Sequence, residues 1–272
     1  MGKLDIDARP DFLEPDPDDL SDPPAGAGIG SPVEAQPAPR AGGKDGDGSL
    51  ELAPPTPMRL SQRDEANLSV VREQARRLSL ALFFREQSPV RSLGFTSAVG
   101  GEGKSFMALM TASVLAHDST EPVILVETNW EHPTLHEQLG LPASPGLAEW
   151  LRGQCDESEA LHQVAANLSV ITAGNGHEDA VKLLRVLRDR SAVDMISSTR
   201  ALYVFDLPPI VTCSYGRMAA SVVESVIVVV RAGITPEGMV AEACAQLKDL
   251  PVEGIMLNQV SSRIPQWLQR IL

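Results

Sequence analysis

Phe95-Thr96-Ser97-Ala98-Val99-Gly100-Gly101-Glu102-Gly103-Lys104-Ser105-Phe106-Met107 decides the fold, because residue type, spacing and flanking pattern all imply one chemistry. Upstream, Ser92 to Ser97 has the apolar character of a buried strand; downstream, Phe106, Leu109, Met110, Val114 and Leu115 fall at helical spacing between Lys104 and His117. The glycine-rich turn therefore opens onto a helix N-terminus, where unpaired backbone N–H groups and the positive end of the helix dipole attract an anion. Gly100, Gly101 and Gly103 let the backbone approach phosphate oxygens closely. In a loop of this kind Lys104 reaches the β- and γ-phosphates and Ser105 offers its hydroxyl to Mg²⁺. The pattern G-x-x-x-x-G-K-S/T is met in a relaxed form, with Ala98 in the first glycine position. The expected ligand is a nucleoside triphosphate, held by Gly100, Gly101, Glu102, Gly103, Lys104, Ser105 and Phe106.

A chain of 272 residues accommodates one large α/β domain with an appendage. The formal net charge of −13 argues against nonspecific binding to nucleic acid, whose phosphates would repel such a surface. Most of that charge sits at the start: residues 1–57 hold 12 acidic and 4 basic residues, with 11 of the 21 prolines. A segment of this composition cannot bury enough apolar surface to offset its chain entropy, so 1–57 is expected to be a disordered tail preceding a domain over 58–272. Cys155, Cys213 and Cys244 are widely spaced without metal-ligand spacing, which suits a reduced, cytoplasmic setting. The opening residues lack the apolar core of a secretory signal, and the most apolar run, Val226 to Val230, is too short to span a bilayer. Recruitment to the inner face of a membrane would therefore need a partner.

Ser61 stands as a candidate helix cap, and Leu68, Val71, Ala75, Leu78 and Leu82 then recur at three- and four-residue steps, predicting a helix of about 25 residues. Strands are expected at 92–97, 122–126, 168–172, 202–205, 226–230 and 254–257, with helices near 180–187, 192–197 and 236–250. Strands alternating with helices at these distances predict an α/β fold, a P-loop NTPase with a mostly parallel sheet and helices on both faces. In such a sheet the ligand binds beyond the carboxyl ends of the strands. Lys104, Glu127, Asp206 and Asn258 all fall just past strand ends and can converge there. Asp206, closing an apolar run, has the character of a carboxylate that holds the water shell of Mg²⁺ opposite Ser105.

Together these motifs resemble the bacterial tyrosine kinases (BY-kinases) of capsule and exopolysaccharide synthesis, within the partitioning-type P-loop ATPases. The resemblance covers roughly residues 60 to 260. Phe95 to Ser105 is similar to the family's T-S-A-x-P-G-E-G-K-S/T, and Val123 to Pro133 to its second Walker strand, apolar-D-x-D-x-R-x-P. Gly140 to Leu147 and Asp206-Leu207-Pro208-Pro209 resemble its G-L-x-x-x-x-G-L and D-x-P-P, and Val228 to Pro236 with Leu257-Asn258 also fits. The resemblance implies ATP and Mg²⁺ as cofactors, Lys104, Glu127 and Asp206 as catalytic groups, Ser105, Asp206 and Glu127 around the metal, and Asn258 on adenine. It also implies a membrane-embedded polysaccharide co-polymerase as adaptor. Partition and septum-site ATPases carry a second lysine where this chain has Val99, which favours the kinase branch.

The departures bear on activity. Glu127 and Asn129 stand where the family has two aspartates, and Glu131 reverses the charge of its arginine. Glu127 retains acid or base capacity on a longer arm; Asn129 cannot take a proton in this role. Of the ring-forming motif E-x-x-R-x-x-R, Glu73 and Arg76 match but the last position is Ser79, so a homo-oligomer contact and a plain solvated pair both stand as readings. Tyr203 and Tyr215 are the only tyrosines, with no acceptor cluster, and Ile264, Trp267, Leu268 and Ile271 pattern a short amphipathic helix. The expected function is a tyrosine-kinase-like ATP-binding regulator of exopolysaccharide synthesis or export. The alternatives are a nucleotide-dependent scaffold without phosphotransfer and, third, a placement ATPase.

Overall fold

The computed structural model describes residues 62–189 and 201–259. The segment 1–57, the cap at Ser61, the helical pattern near 192–197 and the ending from Ile264 to Leu272 lie outside the described residues.

The apolar stripe of the first helix forms as α1 (Gln62–Leu82), which lies against α2 (Lys104–Asp118). Between them β1 (Ser92–Ser97) runs buried along its whole length. Among the described residues six further strands join it in one sheet: β2 (Val123–Glu127), β3 (Leu161–Ala165), β4 (Leu168–Ile171), β5 (Leu202–Asp206), β6 (Ser225–Arg231) and β7 (Val252–Asn258). Their order is β3-β4-β2-β5-β1-β6-β7, and every pair is parallel except β3 with β4. The mostly parallel sheet is as expected, with β3 added as an antiparallel edge. Its Leu161 to Ala165 are only half buried, so no continuous apolar run announced it.

Side chains alternate across the pleat, so each central strand feeds two cores. Leu93 and Phe95 of β1, Leu125 of β2 and Leu202 and Val204 of β5 meet α1 and α2. Val126, Tyr203, Phe205 and Val228 meet the opposite layer. That layer contains α4 (Leu147–Leu151), α6 (Ala180–Asp189), α7 (Gly216–Ala220) and α8 (Glu237–Leu247), while α3 (Leu135–Leu139) and α5 (Glu157–Ala160) are short turns of helix in the connections. Burying a side chain such as Phe95 or Phe205 stabilises the fold by about 2 kcal/mol each. Gly94 faces the second core, where an added Cβ would lie 2.4 Å from Leu207 Cδ1. β1 and the segment after β5 can therefore approach closely.

Among the described residues no helix is long and apolar enough to cross a membrane.

Candidate nucleotide-binding site

β1 delivers the chain to the carboxyl edge of the sheet, where it turns through the glycine-rich loop into α2. Gly101 and Gly103 take φ of 81° and 91°, left-handed backbone that favours glycine at both positions. A Cβ on Gly100 or Gly101 would meet nothing within 4 Å, so that part of the loop stays open to a ligand. Gly103 is different: a Cβ there would lie 2.1 Å from Asn258 Nδ2.

Lys104, 6% exposed, points its Nζ at Asp206 Oδ1 (3.3 Å) and Ser105 Oγ (3.4 Å). Asp206 closes β5, in register with Phe95 on one side and Glu127 on the other, and is fully buried. Among the described residues its Oδ2 has no hydrogen-bond partner. The segment Asp206-Leu207-Pro208-Pro209 is stitched to β1: Leu207 N–H donates to Phe95 O (2.9 Å), Thr96 Oγ1 to Pro208 O (2.7 Å) and Ile210 N–H to Ser97 O (2.8 Å). The acid is thereby fixed against the loop. A buried carboxylate with a free oxygen beside a serine hydroxyl fits a hydrated Mg²⁺, which usually takes one or two carboxylates and completes its shell with phosphate and water. Ser105 and Asp206 would hold it.

Glu127 is one strand away and is used differently. Its Oε1 accepts the N–H groups of Thr134 (2.6 Å) and Leu135 (3.0 Å), and its Oε2 that of Ala173 (3.2 Å). Burial pushes this carboxyl above its ordinary pKa, with the Asp206 charge adding to the rise, while the three backbone donors pull it back. Glu127 thus pins the start of α3 and the end of β4 to the sheet. Asn129 donates from Nδ2 to His132 O (2.8 Å), and its buried Oδ1 has no partner among the described residues.

Two residues without a motif hold this second loop. Trp130, 3% exposed, donates Nε1–H to Ala173 O (2.8 Å), and the Tyr215 hydroxyl accepts the N–H groups of Trp130 (3.0 Å) and Glu131 (3.2 Å). Gly176 packs on the indole so closely that a Cβ would lie 2.4 Å from the ring. Both tyrosines are buried, Tyr203 in β5 and Tyr215 here, and burial raises the Tyr215 phenol above its usual range. Burial likewise raises the neighbouring Cys213 thiol to about 11, and Cys155, Cys213 and Cys244 are all free. No periodicity in the sequence marks Trp130 or Tyr215, because their partners lie in other loops.

Asn258, at the end of β7, turns its amide onto the loop, donating to Glu102 O (2.9 Å) and accepting Gln259 N–H at Oδ1 (2.9 Å). Phe106, on the first turn of α2, is 37% exposed. Lys104, Ser105, Asp206, Glu102 and Asn258 are therefore brought together, Glu127 is beside them but occupied, and Phe106 lies at the rim. A cavity of about 570 Å³ lined by Glu131, His177, Lys182, Arg185, Ser214 and Tyr215 is separate from the Lys104 site.

On α1, Glu73 pairs with Arg77 (2.9 Å) and not with Arg76, whose guanidinium reaches Asp118 at the end of α2 (2.6 Å). Neither residue of the expected pair is bonded to the other. Ser79 is turned inward, 1% exposed, with its hydroxyl on Ala75 O (2.9 Å). An arginine there would face the α1–α2 contact.

No family model matches the chain. EpsB of Ralstonia nicotianae is 28% identical over 190 residues, which are 68% of this chain and 25% of that protein, so the chain spans about a quarter of its length. The tyrosine-protein kinase YwqD of Bacillus subtilis is 27% identical over 180 residues, 64% of this chain and 75% of the relative. The crystal structure of the VpsO kinase domain superposes with a TM-score of 0.63 at 25% identity, covering 74% of this chain and 100% of that domain. By sequence and by fold the chain is similar to the bacterial tyrosine kinases (BY-kinases), from whose active-site motifs it departs at Glu127, Asn129 and Glu131.

Proposed function

We propose that the chain binds ATP with Mg²⁺ in the loop from Ala98 to Ser105 and acts as a tyrosine-kinase-like regulator of exopolysaccharide or capsule synthesis or export. It would work in the cytoplasm at the inner face of the membrane, beside a membrane-embedded polysaccharide co-polymerase. The observation that carries this reading is the cluster at the loop: Lys104 Nζ within 3.4 Å of both Asp206 Oδ1 and Ser105 Oγ, with Asp206 Oδ2 buried and unused. Lys104 is held at the helix N-terminus, ready to exchange Asp206 for a phosphate oxygen. Bound Mg²⁺ would supply charge neutralisation at the β- and γ-phosphates. The loop's N–H groups orient the phosphates, and catalysis of this kind rests on positioning and charge stabilisation.

A second reading has its own support. Both oxygens of Glu127 are occupied by backbone donors and Asn129 has no basic function, so the carboxylates expected around an acceptor hydroxyl are reduced. On that reading the protein is a nucleotide-dependent scaffold that assembles with its adaptor and transfers no phosphate.

Incubation of the purified protein with γ-labelled ATP and Mg²⁺, with and without a candidate adaptor's cytoplasmic segment, separates the two. Label on tyrosine of either protein, absent with Lys104→Ala, supports the kinase. ATP binding with neither transfer nor phosphate release supports the scaffold. Absence of ATP binding overturns both.

A further inference from the structure

Glu102 lies inside the phosphate-binding loop, yet the structure turns its carboxylate away from solvent, leaving the residue 2% exposed. Its Oε2 accepts the Val99 N–H of the same loop at 2.9 Å. Its Oε1 accepts from the end of β6 and the connection that follows: the Arg231 N–H at 3.3 Å and the hydroxyl of Thr235. Thr235 Oγ1 also accepts the Arg231 N–H (3.2 Å), so its own proton is free to go to Glu102. The connection is itself fixed, since Thr235 N–H and Ile234 N–H both donate to Arg231 O (3.1 and 3.2 Å), and Ala232 N–H donates to Asn258 O (2.9 Å). Asn258 then closes the circuit from the other side by donating to Glu102 O (2.9 Å). The loop is clamped from behind to β6 and β7.

We propose that Thr235 is a positioning residue for triphosphate binding: its hydroxyl, acting through Glu102, holds the phosphate-binding loop in its anion-accepting shape. This rests on the ATP-binding reading above. A buried carboxylate needs its donors, and one that loses its hydroxyl partner rearranges to find another. Without the hydroxyl, Glu102 keeps the Val99 N–H of the loop and the Arg231 N–H of β6, so any shift of the carboxylate is passed to the loop through Val99.

Thr235→Val removes the hydroxyl with little change in volume, Thr235→Ser restores it, and Thr235→Ala serves as a second deletion should the valine perturb folding. For each, MgATP affinity is measured calorimetrically, apo thermal stability by melting, and Val99 amide exchange by hydrogen–deuterium exchange. The expected result is a Kd for MgATP about tenfold higher in Thr235→Val and Thr235→Ala, from loss of one charge-assisted hydrogen bond, with Thr235→Ser within about twofold of wild type. Faster Val99 amide exchange should accompany the weaker binding and be reversed by serine. A merely structural role would lower the melting temperature without a selective change in Kd or a serine rescue, and that result overturns the proposal. Wild-type affinity in both deletions overturns it too. If the wild-type protein binds no MgATP, the nucleotide reading itself falls, an outcome distinct from wild-type binding that Thr235→Val leaves unchanged.

Discussion

Glu127 stands where the bacterial tyrosine kinases that the chain resembles carry an acid, but its two oxygens are committed to three backbone N–H groups, those of Thr134, Leu135 and Ala173. Replacing it with alanine would strand those buried donors, and the expected loss is about 3 kcal/mol of folding stability, measured by urea unfolding at neutral pH. The same environment sets a pH dependence. Burial raises the folded-state pKa of Glu127 above its unfolded value, so the folded chain holds the proton more tightly. The contribution from this group is then fully favourable below the ordinary carboxylate range and is lost as pH rises through the raised folded value. Stability of the wild type should therefore carry a falling component from about pH 4.5 upward that Glu127→Gln lacks. An unchanged pH profile in Glu127→Gln would show that the group titrates alike in both states. At this scale Lys104 and Ser105 were legible in the sequence because one short motif specifies both, and Asp206 because it closes an apolar strand. Glu127 was legible as a carboxylate, but its occupation was not, because its partners lie 7, 8 and 46 positions away. Trp130 and Tyr215 were hidden for the same reason, and for Thr235 the stretch Val228 to Pro236 was legible but not the contact with Glu102.

The elements divide along a similar line. Runs such as Val226 to Val230 read as strands because a parallel strand covered on both faces needs apolar side chains at every position, and α1 read as a helix because its stripe repeats over 21 residues. A helix of 4 residues such as α5 is too short to show a period. β3 escaped notice because it is half exposed and antiparallel, joined to β4 by Ala166-Asn167 without a glycine to mark the turn. Asn167 gives that hairpin its purpose in the fold. Its Nδ2 lies 3.2, 3.0 and 2.9 Å from the carbonyl oxygens of Ala116, Ser119 and Glu121, satisfying groups left open where α2 ends. Its own carbonyl accepts the Val123 N–H (3.0 Å) at the start of β2. Asn167→Ala should cost about 2 kcal/mol, with faster amide exchange confined to the end of α2 and the β3–β4 hairpin. Protection lost evenly across the sheet would show that the side chain does not join these particular elements.

At the scale of the whole molecule, folding and ligand binding are linked through the same pair of charges. Lys104 and Asp206 are both buried and face each other at 3.3 Å, so each is the other's counter-ion in the ligand-free protein. Removing the lysine leaves a buried carboxylate without its cation, and Lys104→Ala should melt below the wild type on that account alone. A ligand that binds only the folded state then adds stability by mass action, about 2.7 kcal/mol at a free concentration one hundred times Kd. The informative quantity is the increment that MgATP adds to each protein, since absolute melting temperatures mix the two effects. Wild type should gain most of that stabilisation with MgATP and much less with ATP in chelator, if Asp206 and Ser105 hold the cation as proposed. Lys104→Ala should gain close to nothing under either condition. An equal increment in the two proteins would mean that the nucleotide binds elsewhere, and the assignment of the loop from Ala98 to Ser105 as the triphosphate site would fall with it.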